Sequence, residues 1–217
     1  MQRAGLDLLT RLWTKTDLTW TGDFRPPLHD VTVQPRPVQT PQPPIFIAAG
    51  SLASAEEAAR LGVNLTVTGL SAELDSMPQR RDRYLEIRAE CGHAHKPHIT
   101  VLAHVHCAPT SQEAIDHLRQ YQPPFQSWVI SKKTGVKPEE VELPPRITNF
   151  GSPECVIACG SPQQVLDKIC QIVELMGADR YIYQSDYGGQ PWPKVMGSLE
   201  RFSDRVLPEL KPLDLAA

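Results

Sequence analysis

The chain has no long apolar stretch. Its longest unbroken apolar runs, such as Ile45 to Ala49, are five residues, far short of the roughly 20 residues a membrane-spanning helix needs. The N-terminus also lacks a basic region followed by an apolar core and a cleavage site. A cytoplasmic protein with no membrane partner is therefore expected. Positive charge is not in excess either: the net charge is −3, and Lys and Arg are scattered apart from pairs such as Arg80-Arg81 and Lys132-Lys133. That excludes a basic nucleic-acid-binding surface. Cysteine is sparse and odd in number, five in all, with only Cys155 and Cys159 close together as C-x-x-x-C. Neither a disulfide framework nor a zinc ribbon fits, and reduced, mainly buried thiols are expected. Several motifs are missing as well. Without G-x-G-x-x-G or G-x-x-x-x-G-K there is no support for a Rossmann dinucleotide site or a P-loop, and without G-x-S-x-G there is no hydrolase elbow. Gly151-Ser152-Pro153 and Gly160-Ser161-Pro162 read instead as helix starts.

What is present is ordinary soluble-protein composition, 41% hydrophobic and 22% charged over 217 residues, enough to bury a core. Proline is abundant, with 21 residues clustered at 26–44, 123–124, 138–145 and near the C-terminus, marking loops between elements. The organising stretch is Pro43 to Gly62. Two prolines end what precedes it, Ile45 to Ala49 is a short buried strand, and Gly50 closes it. Ser54 stands three residues before Glu57 and can cap a helix with the stripe Ala55, Ala58, Ala59 and Leu61, ended by Gly62. The loop Gly50-Ser51-Leu52-Ala53 and this helix start aim free backbone N–H groups and two hydroxyls at one point, which suits a phosphate. The competing reading is an ordinary strand-to-helix connection with nothing bound.

Elsewhere, Leu6, Leu9, Leu12 and Trp13 give an amphipathic helix over residues 4–14, followed by a long ordered loop to Gln42 in which Val31-Thr32-Val33 is at most a short strand. Asn64 to Gly69 is a second strand, Ser71 to about Glu90 a helix, and His98 to Ala108 the longest strand, ahead of a helix containing Ala114, Ile115 and Leu118. From Pro123 to Gly151 the rhythm is lost, which reads as an insertion loop of the kind that forms lids. A helix from Pro162 to Gly177, a strand from Arg180 to Asp186 and a helix from about Pro193 to Leu207 complete the chain.

His104 and His106 share one side of their strand at H-x-H spacing, but no acidic or third histidine cluster completes a ligand set, and no metal is expected. Cys155 and Cys159 have no base in view that would activate a nucleophile. Gln184, Asp186 and Tyr187 stand at the end of the last strand, either as pocket residues or with Asp186 as a turn residue ahead of Gly188-Gly189.

Four strands alternating with helices imply parallel strands joined by helical crossovers. A closed (β/α)8 barrel needs eight strands, so the expectation is α/β, a TIM-barrel-like but incomplete barrel covering about the last four β/α units. The blocks LDLLTRLWT, VTVQPRPVQTPQPPIFIAAGSLASAEEAARLG, GSPQQVLDKI, the GGQP loop and SLERFSDRVLPEL resemble, in order and spacing, the later part of the luciferase-like flavin-dependent monooxygenases, the bacterial luciferase superfamily. The resemblance implies a single domain over 1–217 without the first four strands of the barrel. It also implies reduced FMN supplied by a flavin reductase, with the deazaflavin F420 as the alternative, and O2-dependent oxidation of a small organic substrate. By the same resemblance Gly50, Ser51 and Ser54 match the positions that hold the flavin phosphate. The family's catalytic histidine lies on an early strand with no counterpart here, so no catalytic residue is assigned. The alternative is a non-catalytic fragment or half-barrel subunit completed by a second copy or another chain.

Overall fold

The computed structural model describes residues 2–68 and 74–210. By internal contacts the chain divides into two compact units, Met1–Phe46 and Ile47–Ala217.

In the first unit α1 (Gln2–Thr14) forms where the leucine spacing predicts it. Its C-terminal carbonyls are held by Arg36, whose guanidinium donates to the carbonyls of Leu12 (2.9 Å), Lys15 (3.0 Å) and Trp13 (2.7 Å). A cation there also meets the negative end of the helix dipole. The stretch expected as loop carries an antiparallel ribbon, β1 (Leu18–Trp20) and β2 (Leu28–Val31), with Leu18 opposite Val31 and Trp20 opposite Leu28. Polar side chains lace the ribbon together: Asp17 N–H donates to Thr32 Oγ1 at 2.8 Å, and Thr19 Oγ1 donates to Asp30 Oδ1 at 3.3 Å. Strands of three and four residues are too short to leave a readable alternation.

The second unit is built on β3 (Phe46–Ala49), α2 (Leu52–Arg60), β4 (Asn64–Thr68), α3 (Met77–Glu90), β5 (Ile99–Cys107), α4 (Ser111–Thr134), α5 (Pro145–Thr148), β6 (Ala158–Gly160), α6 (Pro162–Met176), β7 (Arg180–Gln184) and α7 (Trp192–Arg205). Strand order is β3-β4-β5-β6, with β7 also on β5. β5 is the hub because it is nine residues long. It pairs in parallel with β4 over Ile99–Leu102, with β7 over Thr100–His104 and with β6 over Val105–Cys107. Parallel strands with helical crossovers are thus present.

Several elements of this unit differ from expectation, and no helix starts at Gly151-Ser152-Pro153, which lies in a turn. β6 is a fifth strand, too short to be read from sequence. α4 continues through Pro123 and Pro124 to Thr134, where Gly135 caps it at φ 77°, so the first part of the 123–151 stretch is helix. The helix expected from Ser71 begins at Met77 with Pro78 in its first turn; residues 69–73 lie outside the described residues.

Alternation along β5 gives the sheet two different faces. Val105 and Cys107 join Ala158, Val165, Ile169 and Val206 in an aliphatic core, with Tyr181, Tyr183 and Phe202 against it. α7 is fastened there by buried Ser198, whose Oγ accepts from Cys107 N–H at 2.8 Å and lies 2.9 Å from the Tyr183 hydroxyl. The opposite face presents Thr100, Leu102, His104 and His106, and it is here that polar chemistry gathers. Among the described residues no helix is long and apolar enough to cross a membrane.

Candidate cofactor and substrate site

Ile47 and Ala49 bury on one side of β3, so the strand delivers Gly50 and Ser51 to its C-terminal end. α2 begins at once. Its cap is Ser51 (φ −140°, ψ 164°), not Ser54 as the spacing to Glu57 predicts; Ser54 is the third residue of the first turn. The two serines interlock. Ser51 Oγ accepts from Ser54 N–H (3.3 Å), Ser54 Oγ accepts from Ser51 N–H (3.1 Å), and the Ser54 hydroxyl donates to the Ser51 carbonyl (2.8 Å). The stripe Ala55, Ala58 and Ala59 is buried beneath.

This arrangement consumes the Ser54 N–H and leaves those of Leu52 and Ala53 with no partner among the described residues. Both residues are exposed. Gly50 adds room: its backbone needs no glycine, and an added Cβ would meet only Thr68 Oγ1, at 3.8 Å. Two outward N–H groups, a helix dipole and an uncrowded glycine fit the terminal phosphate of a flavin. Gly50, Ser51 and Ser54 thus lie together at the start of α2, with Leu52 and Ala53 of the same loop between them.

The second cluster lies across β5, α4 and the loop after β7. His104 is fully buried, its ring edge-on to Tyr187 (centroids 4.8 Å) and Phe125 (5.9 Å). Burial pulls its pKa down to about 4, opposed only in part by the backbone of Gln184, and neither ring nitrogen meets hydrogen-bond geometry. His106 stacks on His117 at 4.0 Å and 8°. Burial, then the neighbouring His117, Arg201 and Lys194, pull its pKa to about 3. Both imidazoles are therefore neutral at pH 7. Among the described residues no set of three His, Cys, Asp or Glu comes together as a metal site.

His117 connects this cluster to the loop, with Nε2 2.7 Å from Gln190 Oε1. Gln190 in turn donates to the Ser185 carbonyl (3.1 Å) and Asp186 Oδ1 (3.3 Å), while Asp186 accepts from Gly188 N–H (2.8 Å). Asp186 is thus a turn residue, as its place ahead of two glycines suggests. Tyr187 is the buried member of the trio, its phenol kept protonated by burial and its hydroxyl without a partner among the described residues. Gln122 is equally buried with both amide atoms unpartnered. Each such group costs about 1–3 kcal/mol, and such groups gather where water or a ligand supplies the missing bonds.

Beside them opens a cleft of about 630 Å³ with Tyr121, Phe125, Trp128 and Tyr187 on its walls and Gly188-Gly189 at its lip. Sequence reasoning missed the α4 side. The signal was there, since 117, 121, 125 and 128 follow helical spacing, but the Pro-Pro pair hid it. Cys155 is buried and Cys159 half-buried, both with raised pKa values, Cys159 to about 12 through desolvation and then the nearby Cys155 and Cys107, so neither is a ready nucleophile.

Residues 5–180 match the family model of luciferase-like monooxygenases. The chain belongs to this family. A curated relative, the oxygenase component of the flavin-dependent trigonelline monooxygenase of Acinetobacter baylyi, is 26% identical over 95% of the chain and 59% of its own length. Two solved luciferase-like structures share the fold. The oxygenating constituent of 3,6-diketocamphane monooxygenase from Pseudomonas putida, in complex with FMN, has a TM-score of 0.64 at 20% identity over 95% of this chain and 62% of its own. An F420-dependent secondary alcohol dehydrogenase has a TM-score of 0.67 at 15% identity over 95% and 60%. The chain therefore spans about 59% of the curated relative it matches, and its fold is part of the luciferase-like (β/α) barrel.

Proposed function

We propose that this chain is a flavin-binding portion of a two-component, cytoplasmic luciferase-like monooxygenase, taking reduced FMN from a flavin reductase to oxidise a small organic substrate with O2. The deazaflavin F420 is the alternative cofactor. The observation that carries the reading is the open start of α2 directly after β3. There the N–H groups of Leu52 and Ala53, the Ser51 hydroxyl and the space over Gly50 would hold the phosphate. A reduced flavin supplies the electrons with which O2 is activated. The protein's own part is anchorage, exclusion of water by the cleft of Tyr121, Phe125, Trp128 and Tyr187, and neutral hydrogen-bonding groups at His104 and Tyr187. Fluorescence titration of FMN against the 217-residue chain tests this: saturable quenching is expected, and its absence overturns the cofactor reading.

A second reading is a half-barrel subunit without activity of its own. Ile182 favours it, because an isoleucine in mid-strand on the His104 face is 39% exposed and would be covered by further barrel. Given FMN, reductase, NADH and a panel of aldehydes and alkanes, the chain alone is expected to yield NADH consumption and hydrogen peroxide without oxygenated product. None of its seven histidines lies in a segment matching the family's catalytic one, and a flavin held mainly by its phosphate stays open to water. Product formed in proportion to NADH would refute the subunit reading.

A further inference from the structure

The flavin reading does not use the cavity beside the start of α7. It encloses about 260 Å³ where β5 ends, walled in part by His106, Glu113 and His117 and by Lys194, Gly197 and Arg201 of α7. Arg201 is half-buried, and its Nη1 is pinned by the carbonyls of Cys107 (3.1 Å) and Gly197 (3.0 Å), which fixes the guanidinium in place. Neither Arg201 nor Lys194 has an acidic partner within ion-pair distance among the described residues. Lys194 is exposed, but Arg201 is partly desolvated, and such a cation without a counter-ion is a standing attraction for an anion.

Two further observations point the same way. Gly197 sits in the middle of α7, where glycine is among the poorest helix formers. An added Cβ there would meet nothing within 4 Å, so packing does not require glycine; its effect is to widen the cavity between Lys194 and Arg201. His106 is buried at 4% exposure and its Nδ1 has no partner among the described residues, so an imidazole that lines the cavity still lacks a hydrogen bond. Burial holds both His106 and His117 below the ordinary imidazole range, so the fixed charges on the wall are Lys194 and Arg201 against Glu113.

We propose that this cavity binds a small oxyanion of the size of phosphate, held by Lys194 and Arg201 with His106 as a hydrogen-bond partner. Glu113 sets the selectivity: a carboxylate on the wall repels a bare dianion but accepts from one that carries its own O–H. Hydrogenphosphate is therefore preferred to sulfate.

Calorimetric titration of the full chain with phosphate, sulfate and acetate, ionic strength balanced with sodium chloride, tests the proposal. Saturable phosphate binding is expected, with sulfate and acetate weaker, and Glu113→Gln should narrow the gap between phosphate and sulfate. Lys194→Met should weaken phosphate binding about tenfold, the scale of one charge-assisted contact. Gly197→Leu, a better helix former that fills the space, should abolish binding while circular dichroism and the thermal transition stay intact. Leu52→Pro separates this site from the start of α2: phosphate binding lost in that variant and retained in Gly197→Leu would place the anion at α2 and overturn the proposal. So would heat no greater than that of chloride.

Discussion

Two helices begin with the same device and end up chemically opposite. Both α2 and α6 follow a strand through Gly-Ser, at Gly50-Ser51 and Gly160-Ser161, and both close a reciprocal cap with the residue three positions on. At α6 that residue is Gln164, long enough to fold back over the start. Its Oε1 accepts from Ser161 N–H at 3.0 Å and from the hydroxyl of Ser111 on α4. Pro162 then removes the first free N–H, and a Cβ at Gly160 would lie 2.5 Å from Gln164 Oε1. At α2 the corresponding residue is Ser54, too short to cover anything beyond Ser51. The difference teaches that a capping box satisfies a helix start without deciding whether it is available. Availability depends on the length of the side chain that closes the box and on whether the first helical residue brings an N–H.

The largest effect that sharpens this contrast is expected at the glycines. Gly160→Ala meets both a positive φ of 153° and the folded-back glutamine, and should lower stability by roughly 2–4 kcal/mol. Gly50→Ala should leave the thermal transition in place and weaken FMN; equal losses of stability in denaturant melts would erase the distinction. Next is Ser51→Ala with Ser54→Ala, which removes the reciprocal cap and the outward hydroxyl. FMN affinity should drop by about 1–3 kcal/mol, and an unchanged fluorescence titration would take the phosphate role away from this loop.

Leu52→Pro is a finer test. Proline is favoured at the first helical position, and extended Ser51 is compatible with a following proline, so α2 should form normally while losing one outward N–H. FMN should bind about tenfold more weakly at an unchanged melting temperature. Smallest is Gln164→Ala, expected to cost about 1 kcal/mol of stability with FMN affinity untouched; a parallel fall in FMN affinity would mean that the α6 start takes part after all.

Much of this was legible in the sequence wherever periodicity and punctuation agree. Pro43-Pro44, the apolar run and Gly50 mark β3, and Ala55, Ala58 and Ala59 mark the buried stripe of α2. The cap was misplaced by three residues because Ser51 and Ser54 are both good caps and the acidic pair Glu56-Glu57 favoured the later one. β6 escaped because three residues carry no alternation, and its pairing with Val105–Cys107 depends on how far β5 extends. The meeting of His106 with His117, or of Tyr187 with His104, is set by tertiary packing and leaves no local trace. Ser198 is the plainest case. Nothing near it in sequence shows that it must receive the N–H of Cys107, 91 residues earlier.

The two prolines inside α4 have a mechanical consequence. Pro123 and Pro124 bring no N–H, so the carbonyls of Arg119 and Gln120 lose their usual donors four residues on. The helix runs on unbroken through the pair, so it acts as two stiff rods sharing a joint at which two rungs of the hydrogen-bond ladder are missing. His117 and Tyr121 stand on one rod, Phe125 and Trp128 on the other, and all but His117 wall the aromatic cleft. Bending at the joint strains few hydrogen bonds and leaves each rod folded. The cleft can therefore widen at the cost of an elastic flexure instead of local melting. In hydrogen exchange it would show as fast-exchanging amides confined to the few residues around the proline pair, with slow exchange on either side.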